Sequence, residues 1–338
     1  MKNVDKDLFM ADNCRQTKDY AEAIYYYTKV IEKSPSVPDH YWLRSLCKKE
    51  LGDYKGSIAD CDLALKINPD WHFVHSQKGD LNDLLKNYDE AIKNYSDAIK
   101  IEPIIRCYFF SRGMIKEKIG DLKGALIDYQ LSRSSSVCED EGVLLFSARV
   151  LLKLREFHAA LNKLNDLILF KEDIPEAYYY RGLVYQNLLR YKESIKDFSS
   201  VLKLMPDSGY VYYLRGMSFM SLKQFSDAIE DFDKAMYLSP ENKSSQLQKG
   251  LAMICLGEMG IGISILENVL SDEPLNTSAI SYLGVARILS GDNIRGMNDI
   301  WASNDIRKKQ GLENPPGSIH KKRKKSPSSD DYLHIVEI

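Results

Sequence analysis

Apolar and polar residues alternate along this chain with two superimposed periods. Over short stretches the apolar residues fall three or four positions apart, which is the spacing of one face of an α-helix. Over longer distances the whole pattern returns about every 34 residues. A fixed period of this length indicates one helix–turn–helix repeat copied along the chain. The sequence therefore predicts an all-α fold of about nine repeats, each with a helix A followed by a helix B.

Two columns of small residues set the register of these repeats. We number the positions of each repeat 1 to 34, so that the repeats begin near residues 4, 38, 72, 106, 141, 175, 209, 243 and 277. The first small column, position 8, reads Ala11, Ser45, Gly79, Gly113, Ala148, Gly182, Gly216, Gly250 and Gly284. The second, position 20, reads Ala23, Ser57, Ala91, Ala125, Ala160, Ser194, Ala228, Gly262 and Gly296. Glycine inside a helix costs up to about 1 kcal/mol relative to alanine, so we expect both columns to lie where A and B cross closely.

Large and conformationally restricted residues complete the pattern. Positions 17 and 24 are mostly aromatic or large and apolar, and proline occupies position 32 in six repeats: Pro35, Pro69, Pro103, Pro206, Pro240 and Pro274. Proline ends a helix because it lacks an N–H group and disfavours helix in the preceding residue. Together these positions resemble the tetratricopeptide repeat (TPR) family over residues 4–304. The resemblance implies a superhelical solenoid of antiparallel helix pairs that binds other proteins and uses no cofactor.

The register is interrupted at two places. The step between repeats four and five is 35 residues, and Val137 and Glu172 stand where proline is expected. We interpret residues 134–141 as an irregular junction. After repeat nine, residues 305–338 are predicted to form a basic, flexible tail.

One pair of columns lies outside the usual family pattern. Position 7 is arginine in four repeats, and position 23 of the same four repeats is aspartate: Arg44 and Asp60, Arg112 and Asp128, Arg181 and Asp197, Arg215 and Asp231. Leu283 and Asp299 are the exception, an acid without its arginine. We predict an ion pair between helices A and B in each of the four repeats, which would be stronger than an exposed pair if it is partly buried and bidentate. Inheritance of both columns by repeat duplication is an alternative that does not exclude the ion pair.

The resemblance implies that helix A lines a concave groove, chiefly with positions 2, 5, 6, 9, 12 and 13. Relatives that clamp the C-terminal carboxylate of heat-shock chaperones carry asparagine at positions 6 and 9, and this chain has none at either. We therefore expect no such clamp and predict instead an apolar, aromatic groove for a protein or peptide partner. Its predicted residues are Tyr179, Tyr180, Leu183, Gln186, Asn187, Tyr210, Tyr213, Leu214, Met217 and Met220. For each ring, packing between neighbouring helices is the competing interpretation.

The tail carries five consecutive basic residues, Lys321, Lys322, Arg323, Lys324 and Lys325. They are interpreted either as a nuclear-import signal or as a solvated basic tail, and a salt-sensitive contact with nucleic acid or acidic membrane is a third interpretation.

The sequence as a whole is compatible with two functions. The leading one is a non-catalytic scaffold or adaptor that binds a peptide in its groove, and the alternative is a nucleic-acid-associated or nuclear factor whose tail contributes binding.

Composition narrows the class of protein further. The chain is 44% hydrophobic and 28% charged, which is typical of a core-forming protein, and its six cysteines form no CxxC pair. We therefore expect a cytoplasmic protein with reduced thiols and without a membrane span, which is nuclear as well if the organism is eukaryotic and the tail directs import. His72 and His75 have a helical metal-ligand spacing but no third ligand. Without a phosphate loop or nucleophile motif either, the sequence predicts no metal site and no enzymatic activity.

Overall fold

The computed structural model describes residues 2–133 and 141–312, and all of their regular structure is helical. These residues form eighteen helices: α1 (Lys2–Gln16), α2 (Tyr20–Lys33), α3 (Pro38–Glu50), α4 (Tyr54–Ile67), α5 (His72–Leu84), α6 (Tyr88–Ile101), α7 (Arg106–Lys118), α8 (Leu122–Leu131), α9 (Glu141–Lys153), α10 (Phe157–Phe170), α11 (Pro175–Asn187), α12 (Tyr191–Leu204), α13 (Gly209–Ser221), α14 (Phe225–Leu238), α15 (Lys243–Leu256), α16 (Met259–Asp272), α17 (Thr277–Leu289) and α18 (Asn293–Lys309). Odd-numbered helices are the predicted A helices and even-numbered helices the predicted B helices. The all-α prediction is confirmed.

Helices pair in the order of the chain. The two helices of one repeat pack together in α1–α2, α3–α4, α5–α6, α7–α8, α11–α12, α13–α14, α15–α16 and α17–α18. A helix B also packs against the helix A that follows it, as α2 does against α3 and α14 against α15. Eight of the nine predicted helix pairs are therefore packed as expected, and each buries its apolar face against its neighbours in sequence.

The small-residue columns have the predicted role at the A–B crossing. A Cβ atom added to Gly182 would stand 2.7 Å from the ring of Phe198, and one added to Gly216 would stand 2.7 Å from the ring of Phe232. Both rings come from position 24 and are fully buried. Glycine at position 8 therefore leaves the space that the aromatic residue at position 24 of the same repeat fills.

The turn from helix A to helix B requires one left-handed residue in every repeat. Position 15 has a positive φ throughout, and it is glycine in four repeats: Gly52, Gly120, Gly257 and Gly291. In the other five it is Lys18, Lys86, Arg155, Leu189 and Lys223. In several repeats an aspartate then caps helix B; Asp53, for example, accepts a hydrogen bond from the N–H of Gly56.

The chain divides between Lys163 and Leu164 into two compact units, which we call the N-terminal unit and the C-terminal unit. Residues 134–140 of the predicted junction lie outside the described residues, as does the tail from residue 313 onward. The predicted end of the array at residue 304 falls inside α18, because that helix continues to Lys309.

Candidate functional site

The predicted groove residues lie on α11 and α13, two adjacent A helices of the C-terminal unit. Gln186 on α11 joins them, because its Nε2 donates to the carbonyl oxygen of Leu214 at 2.9 Å and to Oγ of Ser218 at 2.8 Å. Burial, together with Tyr210, raises the pKa of Tyr179 to about 12. The sequence-predicted residues are thus brought together.

Aromatic rings cover much of this surface. The Tyr210 and Tyr213 rings are stacked with centroids 6.2 Å apart, and the Tyr179 and Tyr180 rings meet edge to face at 5.2 Å. Tyr210 is 53% exposed, whereas the other three rings are half-buried. Such offset and edge-to-face pairs hold rings in place and leave their outer faces open to a ligand.

Burial corrects the prediction for two residues. Leu214 and Met220 are buried in the core, so they support the surface from beneath and cannot contact a partner. Asn187 is exposed, and its amide donates to the carbonyl oxygen of Leu183 in its own helix. Leu183 and Met217 are half-buried and keep part of their side chains accessible. Packing between helices, the competing interpretation, therefore applies to Leu214 and Met220 and not to the residues that remain accessible.

Sequence reasoning missed the continuation of this surface onto α15 and α17. Tyr213, Met217, Cys255 and Tyr282 all pack against one core cluster that contains Leu251. Burial raises the pKa of Tyr282, and Gln248 on α15 lies near enough to its hydroxyl to act in the opposite direction. Gln248 and Tyr282 stand at position 6 and Cys255 at position 13, so reading the same columns through repeats eight and nine would have found them.

We call the surface formed by Tyr179, Tyr210, Tyr213, Met217 and Tyr282 the tyrosine face. The predicted groove positions of the helices that form it carry almost no charge. In α11, α13, α15 and α17, positions 2, 5, 6, 9, 12 and 13 hold a single charged residue, Glu176. The corresponding positions of α1, α3, α5 and α7 include several, among them Asp12, Asp39, Asp80 and Glu117. The two sets of A helices therefore present chemically different surfaces.

The predicted Arg–Asp ion pairs are present in all four repeats. In each, Nε and Nη2 of the arginine lie 2.6–2.8 Å from the two carboxylate oxygens of its aspartate, a bidentate geometry. The four carboxylates are almost fully buried. Burial raises the pKa of Asp197 although Arg181 acts in the opposite direction, so desolvation is a substantial cost of this pair.

Each of these arginines also contacts the preceding repeat. Its Nη1 lies 2.9–3.0 Å from an acceptor at position 25 of the previous helix B, and these acceptors are Thr28, Ser96, Asn165 and Ser199. Where position 7 is lysine, the previous position 25 is aspartate, as in the Lys249–Asp233 pair at 2.6 Å. An arginine at position 7 therefore links three helices, whereas a lysine there joins helix A only to the preceding helix B. The sequence pattern predicted the contact between helices A and B of one repeat and not the contact with the preceding repeat.

The exception in repeat nine has a structural explanation. Asp299 pairs with Arg287, which stands at position 11 rather than position 7, at 2.7 Å. The same guanidinium reaches Glu267 of the preceding repeat at 2.8 Å. The ion pair is thus kept with its cation moved one helical turn along helix A.

Within residues 2–133 and 141–312, no cluster of three or more His, Cys, Asp or Glu side chains could hold a metal ion. His72 Nδ1 lies 2.8 Å from the Tyr108 hydroxyl, whereas His75 Nε2 lies 2.9 Å from the Pro69 carbonyl oxygen. In the same described ranges no helix has the length and apolar character needed to cross a bilayer. The basic residues Lys321 to Lys325 lie outside the described residues.

Sequence comparison identifies tetratricopeptide repeats at residues 40–70, 74–104, 175–208 and 209–242. Among curated proteins, the chain is 28% identical over 139 residues to small glutamine-rich tetratricopeptide repeat-containing protein 2 of Mycosarcoma maydis, covering 39% of this chain and 36% of that protein. It is 36% identical over 84 residues to heat shock protein STI1 of Saccharomyces cerevisiae, covering 22% and 14%. With Hsp70-Hsp90 organizing protein 2 of Arabidopsis thaliana it shares 27% identity over 84 residues, covering 25% and 15%. The chain therefore spans well under half the length of these relatives.

Solved structures support the same fold. A tetratricopeptide repeat protein from Parabacteroides merdae superposes with a TM-score of 0.55 at 18% identity, covering 70% of this chain and 93% of that one. The APC/C hetero-tetramer Cut9–Hcn1 gives a TM-score of 0.51 at 17% identity, covering 82% and 54%. With paired helices, a close crossing at positions 8 and 20 and four matched repeats, this chain contains tetratricopeptide repeats and shares the fold of that family.

Proposed function

We propose that this chain is a non-catalytic scaffold that binds an uncharged, apolar peptide segment on the tyrosine face. Tetratricopeptide repeat proteins generally mediate protein–protein interactions, which gives the proposal its general class. The observation that carries the finer part is the row of partly exposed tyrosines on A helices whose predicted groove positions hold one charged residue, Glu176. Tyrosine and methionine are common at protein-recognition surfaces because they combine a large apolar area with adaptable contacts.

Two physical properties of the face favour an apolar segment over a charged one. A charged side chain that docks among tyrosine, leucine and methionine side chains loses its hydration and finds no opposite charge in return. The Tyr179 and Tyr210 hydroxyls, in contrast, offer hydrogen bonds to the backbone of a bound peptide. A segment with apolar side chains and an accessible backbone therefore matches this surface best.

The relatives named for organizing Hsp70 and Hsp90 make a chaperone a candidate partner. Because positions 6 and 9 hold no asparagine, we propose that a chaperone would not dock here through the usual carboxylate clamp. Contacts of the tyrosine face with an internal apolar segment would replace it. A peptide with a free C-terminal carboxylate and the same peptide amidated at that end should therefore bind equally well.

The test begins with a displayed library of short random peptides selected on the full-length protein. Selected peptides should be rich in apolar side chains and poor in charge. The Tyr179→Ala/Tyr210→Ala variant should bind them at least about tenfold more weakly, since tyrosines that a partner covers at the centre of an interface are frequent binding hot spots. Tyr237→Ala is the matched control, because Tyr237 is 81% exposed on α14, away from the tyrosine face. Equal binding by the wild type and the double variant would refute the proposal.

A further inference from the structure

A cavity of about 420 Å³ lies in the N-terminal unit between α8, α9 and α10. Leu126, Leu144 and Leu151 are among the residues that form its apolar wall, and Ser147 and Lys163 are among its polar residues. This volume is within the ~300–1,000 Å³ that small-molecule sites usually have. The cavity is independent of the tyrosine face, which belongs to the C-terminal unit.

The cavity occurs where one Arg–Asp pair is missing. In the four repeats that have the pair, position 7 is an arginine whose guanidinium carbon lies 5.5–5.9 Å from the centroid of an aromatic ring at position 4. Those rings are Tyr41, Phe109, Tyr178 and Tyr212. Repeat five has Leu144 at position 4 and Ser147 at position 7. Two smaller side chains therefore leave open the volume that an arginine and a ring occupy elsewhere.

The charge at this place is also reversed. Position 23, which is aspartate in the paired repeats, is Lys163 here. Lys163 is half-buried, and among residues 2–133 and 141–312 it has no hydrogen bond or ion pair. Among the described residues, Arg133 and Glu156 also line the cavity. An ammonium group that is partly withdrawn from water attracts an anion more strongly than a fully solvated one does.

We propose that this cavity binds a small apolar carboxylate. The carboxylate would pair with Nζ of Lys163, and the apolar body would contact Leu126, Leu144 and Leu151. The carboxylate would supply the negative charge that Lys163 at position 23 lacks as a partner. The apolar body would occupy the volume that the larger side chains at positions 4 and 7 take up in the paired repeats. An anion without an apolar body would leave the leucine side chains of the cavity without contacts.

Octanoate is a suitable probe, tested on the full-length protein by isothermal titration calorimetry and by ligand-observed NMR. Octylammonium, of similar size and opposite charge, is its control, and octanol is the uncharged one. Octanoate should bind at least about tenfold more tightly than either. Octanoate that binds no better than octylammonium would overturn the proposal.

Two variants locate the site. Lys163→Met keeps an unbranched side chain but removes the charge, so it should weaken octanoate binding about tenfold and leave octanol binding unchanged. The Ser147→Arg/Lys163→Asp variant restores the Arg–Asp pair and fills the cavity, so it should bind neither ligand. Its circular dichroism spectrum and thermal midpoint show whether it folds. If the double variant does not fold, the octanoate affinity of Lys163→Met alone tests the location of the site. Unchanged octanoate binding in Lys163→Met would contradict the assignment.

Discussion

Arg215 donates two hydrogen bonds to the carboxylate of Asp231, from Nε at 2.8 Å and from Nη2 at 2.7 Å. A third, from Nη1 to Ser199 Oγ at 2.9 Å, reaches the preceding repeat. Burial raises the pKa of Asp231 against the influence of Arg215, so the ionised pair is retained at a desolvation cost. Its role is therefore to hold three helices in one arrangement, and the loss of one partner is expected to be expensive.

Asp231→Ala should lower the free energy of unfolding by about 3–5 kcal/mol, because it leaves the half-buried guanidinium of Arg215 without its carboxylate. Asp233→Ala is a matched control on the same helix, since Asp233 is half exposed and pairs with Lys249. That control should cost no more than about 1 kcal/mol. Urea unfolding followed by circular dichroism measures both. Similar losses for the two variants would argue against a structural role of the Arg215–Asp231 pair.

Gly216→Ala should destabilise the protein by about 1–3 kcal/mol, although alanine is the better helix former. The added methyl would stand 2.7 Å from a ring carbon of Phe232, so the ring must move. Gly260→Ala is the control, because a Cβ there has no neighbour within 4 Å. It should raise stability by up to about 1 kcal/mol. Thermal midpoints that move in the same direction for both variants would contradict this account.

Leu189→Gly should stabilise the protein by about 1 kcal/mol. Leu189 has φ of 58°, a conformation in which a side chain other than glycine costs about 1–2 kcal/mol. The residue is 71% exposed, so little packing is lost with its side chain. Gly291→Leu, at the equivalent position of repeat nine, should have the opposite effect. Chemical denaturation of the two variants provides the comparison, and a destabilised Leu189→Gly would refute the prediction.

Glu117→Gln should lower stability by about 1–3 kcal/mol at neutral pH but have little effect in acid. Burial opposes ionisation of Glu117, yet hydrogen bonds from Arg149 and Lys153 outweigh it and hold its pKa below the ordinary 4.5. The stabilisation is therefore complete above pH 4.5 and is lost as the pH falls through the folded-state pKa. Unfolding curves of wild type and variant between neutral and acidic pH measure the difference. If the difference in free energy of unfolding between wild type and variant is the same in acid as at neutral pH, its cause is not the charge of Glu117.

The periodic part of the structure was predictable from the sequence because helices A and B pack through the same positions in each repeat. Once Gly182 and Phe198 are in register, the close approach of A and B follows, and the pairing of Arg181 with Asp197 follows from their columns. Arg287 could not be assigned to Asp299 in the same way, since a long side chain can reach the carboxylate from the next helical turn.

The candidate site was less predictable because burial depends on neighbouring repeats. Leu214 and Tyr213 are adjacent in sequence, and both were predicted to face the groove. Leu214 instead packs beneath it with Phe198 and Val211. The direction in which a side chain leaves helix A could be read from its column, but the depth to which the next helix covers it could not.

The near absence of charge around the tyrosine face has a kinetic consequence. A partner approaching it gains no long-range attraction, so a peptide bound there as proposed would associate at the ~10⁵–10⁶ M⁻¹s⁻¹ that is typical without electrostatic steering. Its association rate would change little between low and high ionic strength. Differences in affinity among partners would then arise from their dissociation rates. The protein would discriminate among partners by the lifetime of each complex.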